Sequence, residues 1–288
     1  MKNLQKLLMS LALSICILSC FELFAWSQLQ DDIYTGDSGY FWKLKPNLNR
    51  TISNGSHPFT LQTNSVGFRD EELQDGERWL FIGCSTTLGW GVDYTEGFVH
   101  QLDVHFKDVD IVNGGQPGWS TQQVLYNIEE FKSLSPTKVF VGLGVRDAQV
   151  SIRSDKDAKP SPWIAKMHLF RWLQYLKTHS KAYPDKMVDD PNMSTQLPVD
   201  HRVSSEDFLV SLQTIQQSFP QSEVVFYEFP QLNFSSEHSV VLAQMGAWKP
   251  DSFDQRDFFS DDPIHLTIYG HQKLKDWFVE RLSTGDLE

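Results

Sequence analysis

The sequence predicts an α/β protein built on a mainly parallel sheet. Three observations carry this. From residue 78 onward, short apolar runs alternate with helical patterns, the rhythm of strand–helix–strand units. The most apolar of these runs, Trp79-Leu-Phe-Ile-Gly83, is followed at once by Cys84 and Ser85. Two later runs end in similar glycine-bearing loops, Gly114-Gly-Gln-Pro-Gly118 and Gly144-Val-Arg-Asp147. Open α/β sheets place their chemistry at the carboxyl ends of their strands, where these loops fall.

Taken in order, residues 29–75 form a polar lead-in with strand-like pieces at 40–46 and 64–70. They read as a clamp packed on the main domain, which covers 76–288. The first strand is 79–82, with Gly83 allowing a sharp turn and Gly89 and Gly91 keeping the next loop small. A helix over 96–106 and a strand over 109–113 follow. The third pair is a helix over 121–134 and a strand over 138–143. Residues 150–204 break the rhythm with a long insertion rich in Pro and Asp, holding an amphipathic piece at 163–179; such insertions are functional or flexible. A helix over 205–218, capped by Ser204 or Ser205, a strand over 224–228 and a last helix over 268–282 complete the domain.

The N-terminus is of another kind. Lys2 and Lys6 precede an apolar run from Leu7 to Phe21, then Glu22 and Leu23-Phe-Ala-Trp26. Residues 1–28 thus read as an export signal or a membrane anchor. Cleavage after Ala25 meets bulky Leu23 where a small residue is preferred. Lipidation at Cys20 meets an unusually apolar sequence after it. Retention is the expectation adopted, because 7–26 supplies the ~20 residues a bilayer requires. The lysines would stay inside and the domain would face outward, on the periplasmic side in a two-membrane cell; secretion is the alternative.

The 288 residues carry a net charge of -12 and are 40% hydrophobic. That balance argues against a nucleic-acid partner, which calls for a basic patch. Of three cysteines, two lie in the apolar N-terminus, so the folded part has Cys84 alone and no internal disulfide. Four Asn-x-Ser/Thr sequons begin at Asn49, Asn54, Asn192 and Asn233. No His-Glu-x-x-His string is present, and neither metal nor cofactor is expected.

A serine hydroxyl needs a base and an orienting group to become a nucleophile. Asp261-Asp-Pro-Ile-His265 stands just before the last helix. Asp262 and His265, three apart and entering a helix, would share one side, so that the carboxylate holds the imidazole and Nε2 is free to take the Ser85 proton. The Ser85 and Gly118 N–H groups would serve as oxyanion donors. The glycine pattern after Ser85 is not Gly-x-Ser-x-Gly, because Thr87 fills the last position, and this speaks against an α/β-hydrolase elbow.

These residues, over about 76–288, resemble the SGNH (GDSL-like) hydrolase family. Gly83-Cys84-Ser85 stands where that family has Gly-Asp-Ser, with Cys84 at the aspartate position. Gly118 matches the oxyanion glycine of its second block. Gly144-Val-Arg-Asp147 matches the third, Gly-x-Asn-Asp, except that Arg146 replaces the oxyanion asparagine. Asp262-Pro-Ile-His265 matches the last, Asp-x-x-His, in full. The lead-in, with Leu44-Lys-Pro46 and 64–70, looks like that of bacterial members with an N-terminal membrane anchor. The resemblance implies a flavodoxin-like three-layer α/β/α sandwich and a serine ester hydrolase with Ser85, His265 and Asp262 as triad. Gly118 and Arg146 would lie at the oxyanion or substrate. It implies an acyl ester substrate, which the compartment and the tryptophans suggest is linked to envelope or exported carbohydrate. O-acyl transfer to a glycan, and a degenerate, non-catalytic glycan-binding or assembly protein, are the alternatives.

Milder readings stand beside these. Cys84 reads as a small buried thiol. The other eight histidines have no matching carboxylate block and read as surface or packing residues. Trp90, Trp119, Trp163 and Trp172 read as sugar-stacking or as core rings.

Overall fold

The computed structural model describes residues 2–28, 33–37, 41–151, 154–157, 167–179, 200–232 and 236–284. In chain order, α1 (Lys2–Gln28) precedes a two-stranded pair, β1 (Tyr34–Asp37) and β2 (Phe41–Leu44), and a hairpin, β3 (Asn49–Asn54) and β4 (His57–Gln62). Then come β5 (Arg78–Gly83), the single turn α2 (Ser85–Leu88), α3 (Phe98–His105), β6 (Asp110–Asn113), α4 (Thr121–Tyr126), α5 (Ile128–Ser133) and β7 (Lys138–Gly142). The insertion opens with β8 (Val150–Ser151), holds α6 (His168–His179) and closes with β9 (Asp200–His201). The rest is α7 (Ser205–Ser218), β10 (Glu223–Phe226), α8 (Glu237–Gln244), β11 (Phe258–Phe259), β12 (Asp262–Leu266) and α9 (Ile268–Thr284). The chain divides into two compact units, Met1–Trp42 with Lys159–Pro191, and Lys43–Ala158 with Asn192–Glu288.

The second unit is an α/β sandwich. Its sheet runs β10-β7-β5-β6, and every pairing is parallel. Strand alternation sends Trp79 and Phe81 to one face, where they join Phe98 and Leu102 of α3 and Leu274 and Phe278 of α9. Leu80 and Ile82 point to the other face and are equally buried. Both faces are covered, as a parallel sheet requires. The register sets Gly83 opposite Gly142, so the loops after β5 and β7 leave the sheet side by side.

Three local expectations are corrected, and two elements are new. Residues 64–70 form turns: Asn64 Oδ1 accepts from the N–H of Val66 and Phe68, an Asx pattern that competes with a ladder. The helix over 121–134 is broken at Asn127, whose side-chain amide donates to Gln123 O. The hairpin β3–β4 and helix α8 were not anticipated. Asp262–His265 does not enter a helix; it is the start of β12, paired with β11.

Candidate active site

Ser85 is placed by the sheet. β5 is fully buried from Trp79 to Gly83, and Cys84 is extended before the turn α2 starts at Ser85. At Gly83 there is no room for a side chain: a Cβ would lie 1.9 Å from Thr87 Oγ1 and 2.8 Å from Gly142 O. The Cys84 thiol is buried, with Sγ 3.1 Å from Thr86 Oγ1. As the first residue of α2, Ser85 has an N–H that the helix itself does not engage.

Across 180 residues of sequence, His265 Nε2 lies 2.9 Å from Ser85 Oγ. Its Nδ1 lies 2.5 Å from Asp262 Oδ2. With Nδ1 donating to the carboxylate, Nε2 is left to accept the serine proton. On a regular strand residues i and i+3 face opposite ways; here Asp262 Oδ1 accepts from the N–H of Ile264 and His265, and this turn brings the ring back to the carboxylate. Burial acts to raise the Asp262 pKa. The hydrogen bond and charge of His265, the Asn54 amide and the Ile264 N–H outweigh burial and hold it well below the ordinary 3.8.

Arg146 extends from the loop after β7, with Nη2 3.4 Å from Ser85 Oγ. Its neighbour Asp147 is fully buried and engaged elsewhere, accepting from Thr121 N–H and hydroxyl and from Gly144 N–H. Gly118 has φ +74°, a conformation that a side chain would strain. Its carbonyl accepts from Arg202 Nη1 at 2.9 Å. Arg202 in turn pairs with buried Asp155 through Nε and Nη2, and Ser120 Oγ donates to the same carboxylate oxygen. Two residues of the insertion segment, 155 and 202, thus fix the Gly118 loop.

Several of these supporting residues carry no motif. Asn54, at the hairpin tip, donates from Nδ2 to Asp262 Oδ2 at 2.8 Å. His57 and Ser56 of the same tip bond to Asp261. Arg69 is almost fully buried, and its Nη atoms donate to the carbonyls of Leu88, Gly89, Thr60 and Val92. Burial pushes its pKa down to about 10, against the attraction of Asp93. Asn113 donates from its side chain to Thr87 O and Leu88 O, and Gln116 N–H donates to Gly83 O. Buried hydrogen-bonding of this density rigidifies the loop after Ser85. The sequence signal for Arg69 was present in the distinctive segment 64–70, but nothing in it named a partner.

The tryptophans divide. Trp119 is buried against Phe131, so it is a core ring. Trp90 is half-buried, its ring edge-on to Phe59 at 5.3 Å and its backbone N–H donating to Ser85 O. Trp172 packs on Phe24, and Trp163 lies outside the described residues. Of the other histidines, His271 is buried on α9 and His100 packs against Tyr94 with the two rings tilted by 47°. Among the described residues no group of three or more His, Cys, Asp or Glu could hold a metal ion.

No protein-family model and no curated protein matches the chain. Solved structures are similar in chain course. One is a member of the lipolytic G-D-S-L family from Veillonella parvula, 16% identical, with TM-score 0.43, covering 71% of this chain and 97% of that one. Another is the psychrotrophic esterase EstA from Pseudoalteromonas, at 12% and 0.44, covering 72% and 97%. A third is the acetyl xylan esterase Axe2 from Geobacillus stearothermophilus, at 15% and 0.43, covering 72% and 95%.

Proposed function

We propose that the chain is a serine ester hydrolase of the SGNH type. The observation that carries this is the run of contacts from Ser85 Oγ to His265 Nε2 and from His265 Nδ1 to Asp262, at 2.9 and 2.5 Å. Ser85 attacks the ester carbonyl while His265 takes its proton, and the Asp262 carboxylate stabilises the imidazolium that forms. The Ser85 and Gly118 N–H groups, joined by the Arg146 guanidinium, hold the oxyanion; each such donor typically contributes a factor of ~10² to 10³ in turnover. Collapse of the intermediate expels the alcohol, which takes the proton back from His265. Water, activated by the same imidazole, then releases the acyl group from Ser85.

The substrate class this reading favours is an acyl ester on exported carbohydrate. Export follows from the apolar α1, and Trp90, partly open beside the Ser85 loop, offers a ring to a sugar. The domain faces outward, anchored by α1.

The test is labelling by a fluorophosphonate probe, followed by acetate release from acetylated polysaccharide. Wild type is expected to be labelled at Ser85, and Ser85→Ala to be unlabelled, with turnover lower by about 10⁴-fold or more and an unchanged Tm. A wild-type protein that folds but does not react would leave a binding protein in place of an enzyme.

A further inference from the structure

Helix α6 carries an apolar stripe that stays exposed among the described residues. Phe170, Leu173 and Leu176 recur every third residue, so they share one side of the helix, and all three are exposed. On another side, Trp172 packs edge-on against Phe24 of α1, with ring centroids 5.3 Å apart, and Ala25 of α1 is fully buried.

One carboxylate joins the two helices. Glu22 Oε1 accepts from His168 N–H at 2.5 Å, and Oε2 accepts from Leu169 N–H at 2.9 Å. These are the first residues of α6, whose opening N–H groups have no partner within the helix. Glu22 therefore does from α1 what a capping side chain does locally, and its charge meets the positive end of the α6 dipole.

The placement along α1 has a consequence. Between Leu7 and Gln28 Glu22 is the one charged residue, and a lone carboxylate in an apolar span is costly in lipid unless it is paired. At ~1.5 Å per residue, Glu22 stands about 22 Å beyond Leu7, in the far part of a hydrocarbon layer about 30 Å thick. That depth is close to the water interface, where amphipathic helices lie with their apolar side about 5–10 Å into the headgroup boundary. The sequence of α6 holds Arg171 and Lys177 and no acidic residue, which suits a lipid surface. The same composition disfavours a second copy of the stripe as occupant, since that would bring two basic helices together.

We propose that α1 stays on the mature chain and that α1 and α6 form one membrane-docking unit. In it α1 crosses the bilayer, and α6 lies in the non-cytoplasmic interface with Phe170, Leu173 and Leu176 in lipid. This does not depend on the esterase reading.

The test uses the full chain, recovered from the membranes of a bacterial host, weighed intact, and reconstituted into discs of phosphatidylethanolamine and phosphatidylglycerol containing a lipid with a photoreactive acyl chain. The intact mass is expected to include residues 1–28. Peptides of both α1 and 168–179 are expected to be labelled. The variant Leu173→Asp with Leu176→Asp should lower labelling of 168–179 about tenfold or more, with α1 labelling unchanged. A mass that lacks residues up to Ala25 or begins at a lipidated Cys20 would overturn the proposal. So would labelling of α1 without 168–179, or equal labelling of 168–179 in the variant.

Discussion

The two sides of the candidate site are built by different means. The Ser85 side grows out of the sheet: β5 is buried from Trp79 on, Gly83 admits no side chain, and α2 follows after Cys84 alone. The His265 side sits on β12, which among the described residues pairs with the two-residue β11 alone. It is steadied by polar contacts from the lead-in, Asn54 to Asp262 and His57 to Asp261. Close packing fixes Ser85, whereas hydrogen bonds from a hairpin more than 200 residues away hold Asp262, the partner of His265. Packing against a sheet is hard to loosen by one substitution; a hydrogen-bonded strap is open to one.

The largest way to break this contrast is at Asp262. Asp262→Asn removes the charge that holds Nδ1–H and is expected to lower kcat by about 10⁴-fold while Ser85 keeps its place. A variant that kept a tenth of wild-type turnover would mean that another group orients His265. On the Ser85 side, Arg69→Met strips a buried guanidinium from four carbonyls of the hairpin and loop. Stability is expected to fall by about 3 kcal/mol or more, read as a lower urea midpoint. A change under 0.5 kcal/mol would show that the loop does not lean on the lead-in.

Asn54→Ala sharpens the comparison. Losing one hydrogen bond to Asp262 should lower kcat by roughly 10 to 100-fold with little change in KM or Tm. It should also let the Asp262 pKa rise, because the amide is one of the groups that holds it down. The folded-state pKa is depressed, so the stability from Asp262 is full above 3.8 and is lost as pH falls from there through the folded value; in Asn54→Ala that loss should be smaller and should end at a higher pH. Equal acid profiles would remove Asn54 from the positioning role.

The smallest effect lies under the Ser85 loop. Burial, and then the Arg69 and His265 charges, push the His271 pKa down to about 3. Between its ordinary 6.5 and that value, the unfolded chain binds a proton that the folded chain does not. The stability contributed by His271 is thus full above 6.5 and falls with pH below it, by at most about 1.4 kcal/mol per pH unit. In Tm measured against pH, His271→Gln should be shallower than wild type through that window. Parallel profiles would mean that the imidazole is not kept neutral in the fold.

Much of the fold was legible because it repeats a local rule. Four short strands with apolar, mostly buried centres announced the parallel sheet, and Ser204 announced α7 by its cap. Ser85 and His265 were legible from their spacing to glycine and aspartate. The hairpin β3–β4 was not, because β3 is exposed along most of its length and gives little alternation to read. The Asx turn at Asp262 was misread as a helix entry because both use the same residue at the same offset. Asn54, Arg69, Asp155 and Arg202 were invisible as site residues, since each acts through a contact far away in sequence.

Asn54 opens the sequon Asn-Gly-Ser, and its side-chain nitrogen is the atom that donates to Asp262. A eukaryotic secretory host that glycosylates this site would convert one of that nitrogen's two hydrogens into a sugar linkage and crowd the carboxylate beside it. Material produced that way would be a mixture of occupied and unoccupied chains, with the weaker turnover belonging to the heavier species. Bacterial production, or Ser56→Ala to erase the sequon while sparing Asn54, avoids that heterogeneity.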